Sequence, residues 1–279
     1  MNRGQGLGGD GDGRTGVPSV RAQEMGAQKI SGKAPRVRPL PGMPVLVVEG
    51  KPRTLVASDV HVGLSRAEGQ SGVEMVGGPT FLAERLIGAA RQTRSGRVLL
   101  LGDLKEPILG APPQTRRELR LFFDTLLGAG LRVEVCPGNH DIGLSRWLPS
   151  SVVLTPSRGL LRDGVGYFHG HAWPSPEILE GAATLVAGHL HPGYRLASGK
   201  VPCWVRVKPG GPRPFRATEV IILPAFNPLC SSEALNQERP RRSRTFLVHR
   251  FLSTGEARAY LLDGTDLGRL HLKDGPRED

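Results

Sequence analysis

Apolar positions along this chain change their period several times, and the changes mark out its elements. Val45 to Val48 and Thr54 to Ala57 are short β-branched runs joined by Glu49-Gly50-Lys51-Pro52, which predicts two strands and a turn. Phe81, Leu82, Leu86, Ile87 and Ala90 then recur at helical spacing and stop at the polar stretch Arg91 to Arg94. Val98 to Leu101 predicts a buried strand. Thr115 with Glu118 three residues on predicts a capping box, Leu119, Phe122, Phe123, Leu126 and Leu127 the apolar stripe of its helix, and Gly128 the stop. Leu131 to Cys136 predicts the next strand. Alternating strands and helices, each strand opening into a polar loop, are the order of an α/β fold whose site lies at the strand C-termini.

Beyond Asp141 the runs shorten. Strands are predicted at Val152 to Leu154, Val165 to His169, Thr184 to Ala187, Trp204 to Val207, Val220 to Leu223, Phe246 to Phe251 and Ala257 to Leu262. Pro174 to Leu179 and Ile142 to Trp147 read as helical. The Pro- and Gly-rich stretch from Lys208 to Pro214 reads as a loop, and Arg239 to Arg244 as a basic linker before a last hairpin. The expectation is an α/β four-layer sandwich of two mixed β-sheets flanked by helices, the second sheet the more antiparallel.

Residues 1–43 break this pattern. They are rich in Gly and charge and poor in large apolar side chains, so a disordered tail is expected before a domain at 44–279. Seven basic residues against three acidic ones give the tail a charge of +4, in a chain of net charge +11 and pI near 10.3. That balance favours polyanionic partners without naming one. Cys136, Cys203 and Cys230 are odd in number and far apart, without the spacing of a thiolate metal site, which fits a reduced, cytoplasmic setting. No apolar run reaches the roughly eighteen residues of a membrane span, and no signal peptide is read, so no membrane is expected as a partner.

The chemistry sits at the ends of the apolar runs. Asp59-Val60-His61, Gly102-Asp103, Gly138-Asn139-His140-Asp141, His169-Gly170-His171 and Gly188-His189-Leu190-His191 each follow a predicted strand, and six of the eight histidines lie in them. Imidazole, carboxylate and carboxamide donors suit Mn²⁺, Fe²⁺, Zn²⁺ or Ni²⁺ and not a soft ion. The i, i+2 spacing in Asp59-Val60-His61 and His189-Leu190-His191 puts two ligands on one side of an extended segment.

This ordered set resembles the calcineurin-like metallophosphoesterases over about residues 45–262. Gly102-Asp103-Leu104-Lys105, Gly188-His189-Leu190-His191-Pro192 and Leu223-Pro224-Ala225-Phe226-Asn227-Pro228-Leu229 are similar to the archaeal SbcD-related phosphoesterases. The resemblance implies two divalent ions, Mn²⁺ first. Asp59, His61 and His191 would hold one, Asn139, His169 and His189 the other, and Asp103 would bridge them. Ions about 3.5–4 Å apart would share the hydroxide that attacks a phosphoester. His140 matches the position that protonates the leaving oxygen. Asp141 either orients that imidazole or caps its loop, and His171 stays open among an outer contact, a weak ligand and a substrate contact. Lys105 reaches a substrate phosphate or is a solvated lysine. Asn227 bonds near the pocket or serves the turn before Pro228.

Three functions follow. A nuclease or nucleotide phosphodiesterase fits the basic charge, and a DNA-processing partner protein such as a helicase would suit it. Against it, 88 residues follow His191, leaving no room for a separate DNA-gripping cap. A small-molecule phosphatase or phosphodiesterase needs no extended groove. A non-catalytic binding module ranks last, because every metal position and His140 are present.

Overall fold

The computed structural model describes residues 35–64, 76–210, 213–237, 251–252 and 255–270, all within the compact unit Gly32–Asp279. The first sheet runs β1 (Val37–Pro39), β2 (Leu46–Val48), β3 (Thr54–Ser58), β4 (Arg97–Leu101), β5 (Arg132–Cys136) and β6 (Val153–Leu154), in that spatial order. Its first three strands pair antiparallel and the rest parallel. Among the described residues, α1 (Pro79–Thr93) and α2 (Pro113–Gly128) lie between its parallel strands.

The second sheet draws on β7 (Leu160–Arg162), β8 (Val165–Phe168), β9 (Thr184–Ala187), β12 (Trp204–Pro209), β13 (Glu219–Ile222), β15 (Gly255–Tyr260) and β16 (Asp266–Arg269). Their order is β16-β15-β12-β13-β9-β8-β7, parallel only across β13-β9-β8. Between β8 and β9 lies α3 (Pro176–Gly181).

Packing follows from which face of each strand is apolar. Leu46, Val56, Leu99 and Leu101 of the first sheet meet Val165, Tyr167, Val186, Trp204 and Ile221 of the second in one buried cluster, so the sheets lie face to face. The opposite face of the first sheet, with Val47, Leu55, Val98 and Val133, buries against Leu82, Leu86, Phe122 and Phe123 of the helices. The far face of the second sheet packs Leu185, Val205 and Ala259 against Ile178, Phe215 and Phe251. Helices, sheet, sheet and outer helix are the four layers expected.

Several expectations change. The capping box is absent: α2 begins at Pro113, two residues before Thr115, which is buried in its first turn. Proline supplies no N–H, so it takes the first helical position at no cost and moves the start upstream. Ile142 to Trp147 is helical only over Leu144–Arg146, as a 3₁₀ turn. Two 3₁₀ turns, Asn139–Asp141 and Leu144–Arg146, are separated by Gly143 in the left-handed region (φ 73°). Within the run Phe246 to Phe251 only Phe251 is described, and it is helical together with Leu252. β12 extends to Pro209, two residues into the predicted loop. A third sheet also exists: β10 (Pro192–Leu196), between β11 (Gly199–Pro202) and β14 (Glu233–Ala234). Its strands are too short and too rich in Gly and Pro to show a period. β1 lies inside the stretch read as tail, and Arg38 of β1 bonds Glu49. The basic linker Arg239 to Arg244, and residues 1–34 of the tail, lie outside the described residues.

Candidate metal centre

Six parallel strand ends converge on one place. Ser58, Leu101 and Cys136 stand in register across β3, β4 and β5, and Phe168, Ala187 and Ile222 across β8, β9 and β13. The next residues in each chain segment are therefore level: Asp59, Gly102-Asp103 and Pro137-Gly138 on one sheet, His169, Gly188-His189 and Leu223 on the other. The sheets are stitched together here. The His189 N–H donates to Asp59 Oδ2 (3.0 Å), the Phe226 N–H to the Ser58 carbonyl (2.8 Å), and His169 Nδ1 lies 2.8 Å from the Leu101 carbonyl.

Paired ligands face the site for a different reason from the one expected. Asp59, His61, Asp103, His189 and His191 all have positive φ (60°, 44°, 49°, 69° and 46°), five of the seven such non-glycine residues described. These segments are left-handed kinks, not extended strands. Each such residue costs roughly 1–3 kcal/mol unless its surroundings enforce it, and such strain gathers at functional sites. Here the enforcement is visible: Asp59 N donates to the Gly102 carbonyl, His61 N to the Asp103 carbonyl, and Val62 N to the Leu104 carbonyl. Two glycines let the loops touch. A Cβ on Gly102 (φ 73°) would lie 2.7 Å from Gly138 Cα, and one on Gly138 2.9 Å from His169 Cδ2.

The result is a close cluster of carboxylates and imidazoles. Asp103 Oδ2 is 3.3 Å from His169 Nε2, 3.9 Å from His61 Nε2 and 4.0 Å from His140 Nε2, while Asp59 Oδ1 is 3.1 Å from His191 Nε2. Burial works against the charged form of each. At Asp103 the bonds and charges of His169 and His140 together outweigh it, and at Asp59 those of His191 with the charge of His169, so both carboxyls titrate below their ordinary range. The His169 imidazole is likewise opposed by burial but lifted to about 9 by Asp103 and Asp59. His189, buried beside it with Nδ1 3.1 Å from His169 Nε2, is pushed down to about 4 by burial and by the His169 charge.

Most of the rings are held from behind. His61 Nδ1 pairs with Glu106 Oε2 (2.7 Å), His169 Nδ1 with the Leu101 carbonyl, His191 Nδ1 with the Ser231 carbonyl (3.3 Å) and His140 Nδ1 with the Glu106 carbonyl (2.6 Å). Donation from Nδ1 leaves each Nε2 lone pair free to face inward, the way metal-binding imidazoles are oriented. The donor set fits an ion on a second ground. His61 Nε2 and Asn139 Oδ1 are buried without a hydrogen-bond partner, and a buried polar atom is seldom left so. Four groups of donor atoms lie within 4.8 Å of one another among the described residues: Asp59, His61 and Asp103; Asp103, His169 and His189; His61, His191 and Cys230; and His61, Glu106 and His140.

The contacts of the residues left open by the sequence are now visible. Asp141 is the loop cap: its Oδ1 accepts from Leu104 N (2.9 Å) and its Oδ2 from Gly138 N (2.8 Å), whereas His140 is oriented by the Glu106 carbonyl. Lys105 is not a solvated lysine. It is wholly buried, and its ammonium bonds the carbonyls of Pro107, Ile108 and His140. Asn227 serves both of its readings, donating to the Val60 and His61 carbonyls and accepting from Leu229 N. His171 stacks 5.3 Å from His169 and 6.3 Å from His189. Arg116, Arg117 and Arg120 are exposed, and His249 and His271 lie outside the described residues.

Glu106 and Cys230 were missed. Glu106 follows Lys105 directly, but nothing in the chain pairs it with His61. Cys230 was set aside for its spacing, and only the turn after Asn227 brings it back to Asp59, its Sγ 3.9 Å from the Asp59 carbonyl.

No protein-family model and no curated protein matches the chain. Solved structures do. The nuclease MPE of Pseudomonas putida superposes with a TM-score of 0.53 at 19% identity, covering 83% of this chain and all of that one. Yfce, a phosphoesterase from E. coli, gives a TM-score of 0.37 at 14% identity over 79% of this chain and 99% of that one. No helix among the described residues is long and apolar enough to cross a membrane. The chain thus shares its α/β sandwich with a solved nuclease, and its candidate ligands meet where the strands of that sandwich end.

Proposed function

We propose that this chain is a metal-dependent hydrolase of phosphoester bonds, acting on a phosphodiester of a nucleic acid or nucleotide. The observation that carries the reading is the convergence of Asp59, His61, Asp103, Asn139, His169, His189 and His191 at the strand ends, with ring nitrogens turned inward and buried donor atoms unpartnered. Asp59, His61 and His191 would hold one divalent ion, Asn139, His169 and His189 the other, and Asp103, which lies between His61 and His169, would serve both. Such ions lower the pKa of water and neutralise phosphoryl charge. The resemblance favours Mn²⁺, and the same donors accept Fe²⁺, Zn²⁺ or Ni²⁺.

His140 would handle the leaving group. Its backbone N–H donates to Asp103 Oδ1 (2.9 Å), Nδ1 is occupied by the Glu106 carbonyl, and the ring stays partly open to solvent with Nε2 on the Asp103 side. A proton on Nε2 would pass to the departing alkoxide as the P–O bond breaks. Asp141 would act by positioning. Its two backbone bonds hold Gly138 and Leu104, and so the loop that carries His140, in place.

The phosphodiester preference draws on the basic charge of the chain and on its structural likeness to a nuclease. The test is Mn²⁺-dependent hydrolysis of bis-p-nitrophenyl phosphate, p-nitrophenyl phosphate and single-stranded DNA, with His140→Ala as control. Cleavage of the diester and DNA, lost in the variant and falling steeply with salt, supports the proposal. Cleavage of the monoester alone makes the chain a phosphatase, and no activity on any substrate returns it to a binding module.

A further inference from the structure

One candidate donor at the site belongs to no sequence motif. Asn227 closes a tight turn: its side-chain oxygen accepts from Leu229 N (3.0 Å) and its carbonyl from Cys230 N (3.1 Å), which points the chain back at the Asp59 loop. Cys230 Sγ then stands within 4.8 Å of ligand nitrogens of both His61 and His191. Two observations independent of the cysteine mark this spot for a ligand. His61 is 4% exposed, and its Nε2 has no hydrogen-bond partner. His191 has its Nδ1 on the carbonyl of Ser231, the residue after Cys230, so one turn both places the sulfur and aims the imidazole.

We propose that Cys230 is a fifth protein ligand of the ion held by Asp59, His61, His191 and the shared Asp103, and that its sulfur makes this position prefer Zn²⁺, Fe²⁺ or Co²⁺ over Mn²⁺. The inference rests on the metal-site reading above. Asp59, His61 and His191 alone are a hard to borderline set that takes Mn²⁺ readily, whereas a thiolate favours softer, later ions. As the sulfur–metal bond forms, the thiol proton leaves to solvent and the site gains one negative charge. Among the described residues no cysteine joins Asp103, His169 and His189 in a group of donor atoms, so the two positions would differ in metal preference.

Cobalt(II) absorption on the full-length chain separates this inference from the reading beneath it. Visible d–d bands report that Co²⁺ binds at all, and a near-ultraviolet sulfur-to-cobalt charge-transfer band reports thiolate ligation. Wild-type protein is expected to show both. Cys230→Ser should lose the charge-transfer band and keep the d–d bands, and Cys203→Ser, altered in the second core, should keep both. Visible bands without the charge-transfer band in wild type overturn the Cys230 ligand and leave the metal site standing, and absence of any band overturns both. In calorimetric competition the Zn²⁺-to-Mn²⁺ affinity ratio should fall in Cys230→Ser, and an equal ratio in the two proteins would also refute the proposal.

Discussion

His169 Nε2 lies 3.3 Å from Asp103 Oδ2, in a pair that joins the two sheets where both side chains are out of water. This contact makes the stability of chelator-stripped protein depend on pH in a definite direction. His169 titrates near 9 against an ordinary 6.5, so its contribution is complete below pH 6.5 and lost as pH rises through about 9. Asp103 is depressed below 3.8, so its contribution is present above that value and lost on acidification. Urea midpoints should therefore be highest between these limits and drop on the alkaline side. A midpoint that holds steady through pH 9 would remove His169 as a charged partner of Asp103.

Replacing His140 by Ala is expected to lower kcat by about 10² to 10⁴ while leaving two ions per chain. The ring contributes no ligand in the assignment, and the Asp103 bond to residue 140 comes from its backbone. Metal analysis of the purified variant beside its turnover is the check, and loss of an ion would recast His140 as a ligand.

Glu106→Gln keeps the shape of the side chain but removes the charge behind His61 Nδ1. Metal affinity should fall about 10- to 100-fold, the usual effect of changing a group that orients a metal-binding imidazole. Isothermal titration with Mn²⁺ reads it directly. An unaltered affinity would mean that the Glu106 carboxylate does no more than fill space.

Lys105→Met leaves the carbonyls of Pro107, Ile108 and His140 without their shared donor. A loss of about 1–3 kcal/mol of stability is expected, with KM near that of wild type. A raised KM at undiminished stability would instead place Lys105 on the substrate.

Asp141→Ala removes the acceptor for two buried N–H groups. Stability should fall by about 1.5–3 kcal/mol, and the pH profile of kcat should keep its shape. A shifted profile would revive Asp141 as the partner that tunes His140.

Much of this was legible along the chain. The run Thr54 to Ala57 became β3, Leu131 to Cys136 became β5, and Thr184 to Ala187 became β9, because β-branched residues between polar loops declare their period locally. The five loops that carry chemistry were visible for the same reason, each directly following its strand. Where the reading went astray, the deciding contact came from elsewhere. Lys105 looks like any surface lysine until the His140 loop is laid over it. Thr115 looks like a cap until Pro113 starts the helix first.

By itself the sequence determined the layers, the strand-end loops and the residue types able to bind an ion, since period and side-chain chemistry are properties of neighbouring residues. Only the tertiary structure decided which strands stand level across two facing sheets, and with that the rest. The left-handed kinks at Asp59, His61, Asp103, His189 and His191, the Glu106 carboxylate behind His61, and the Cys230 sulfur beside His191 all depend on contacts between segments far apart in the chain. Hydrogen bonds and burial create those contacts when the two sheets close on one another, and no local pattern encodes them.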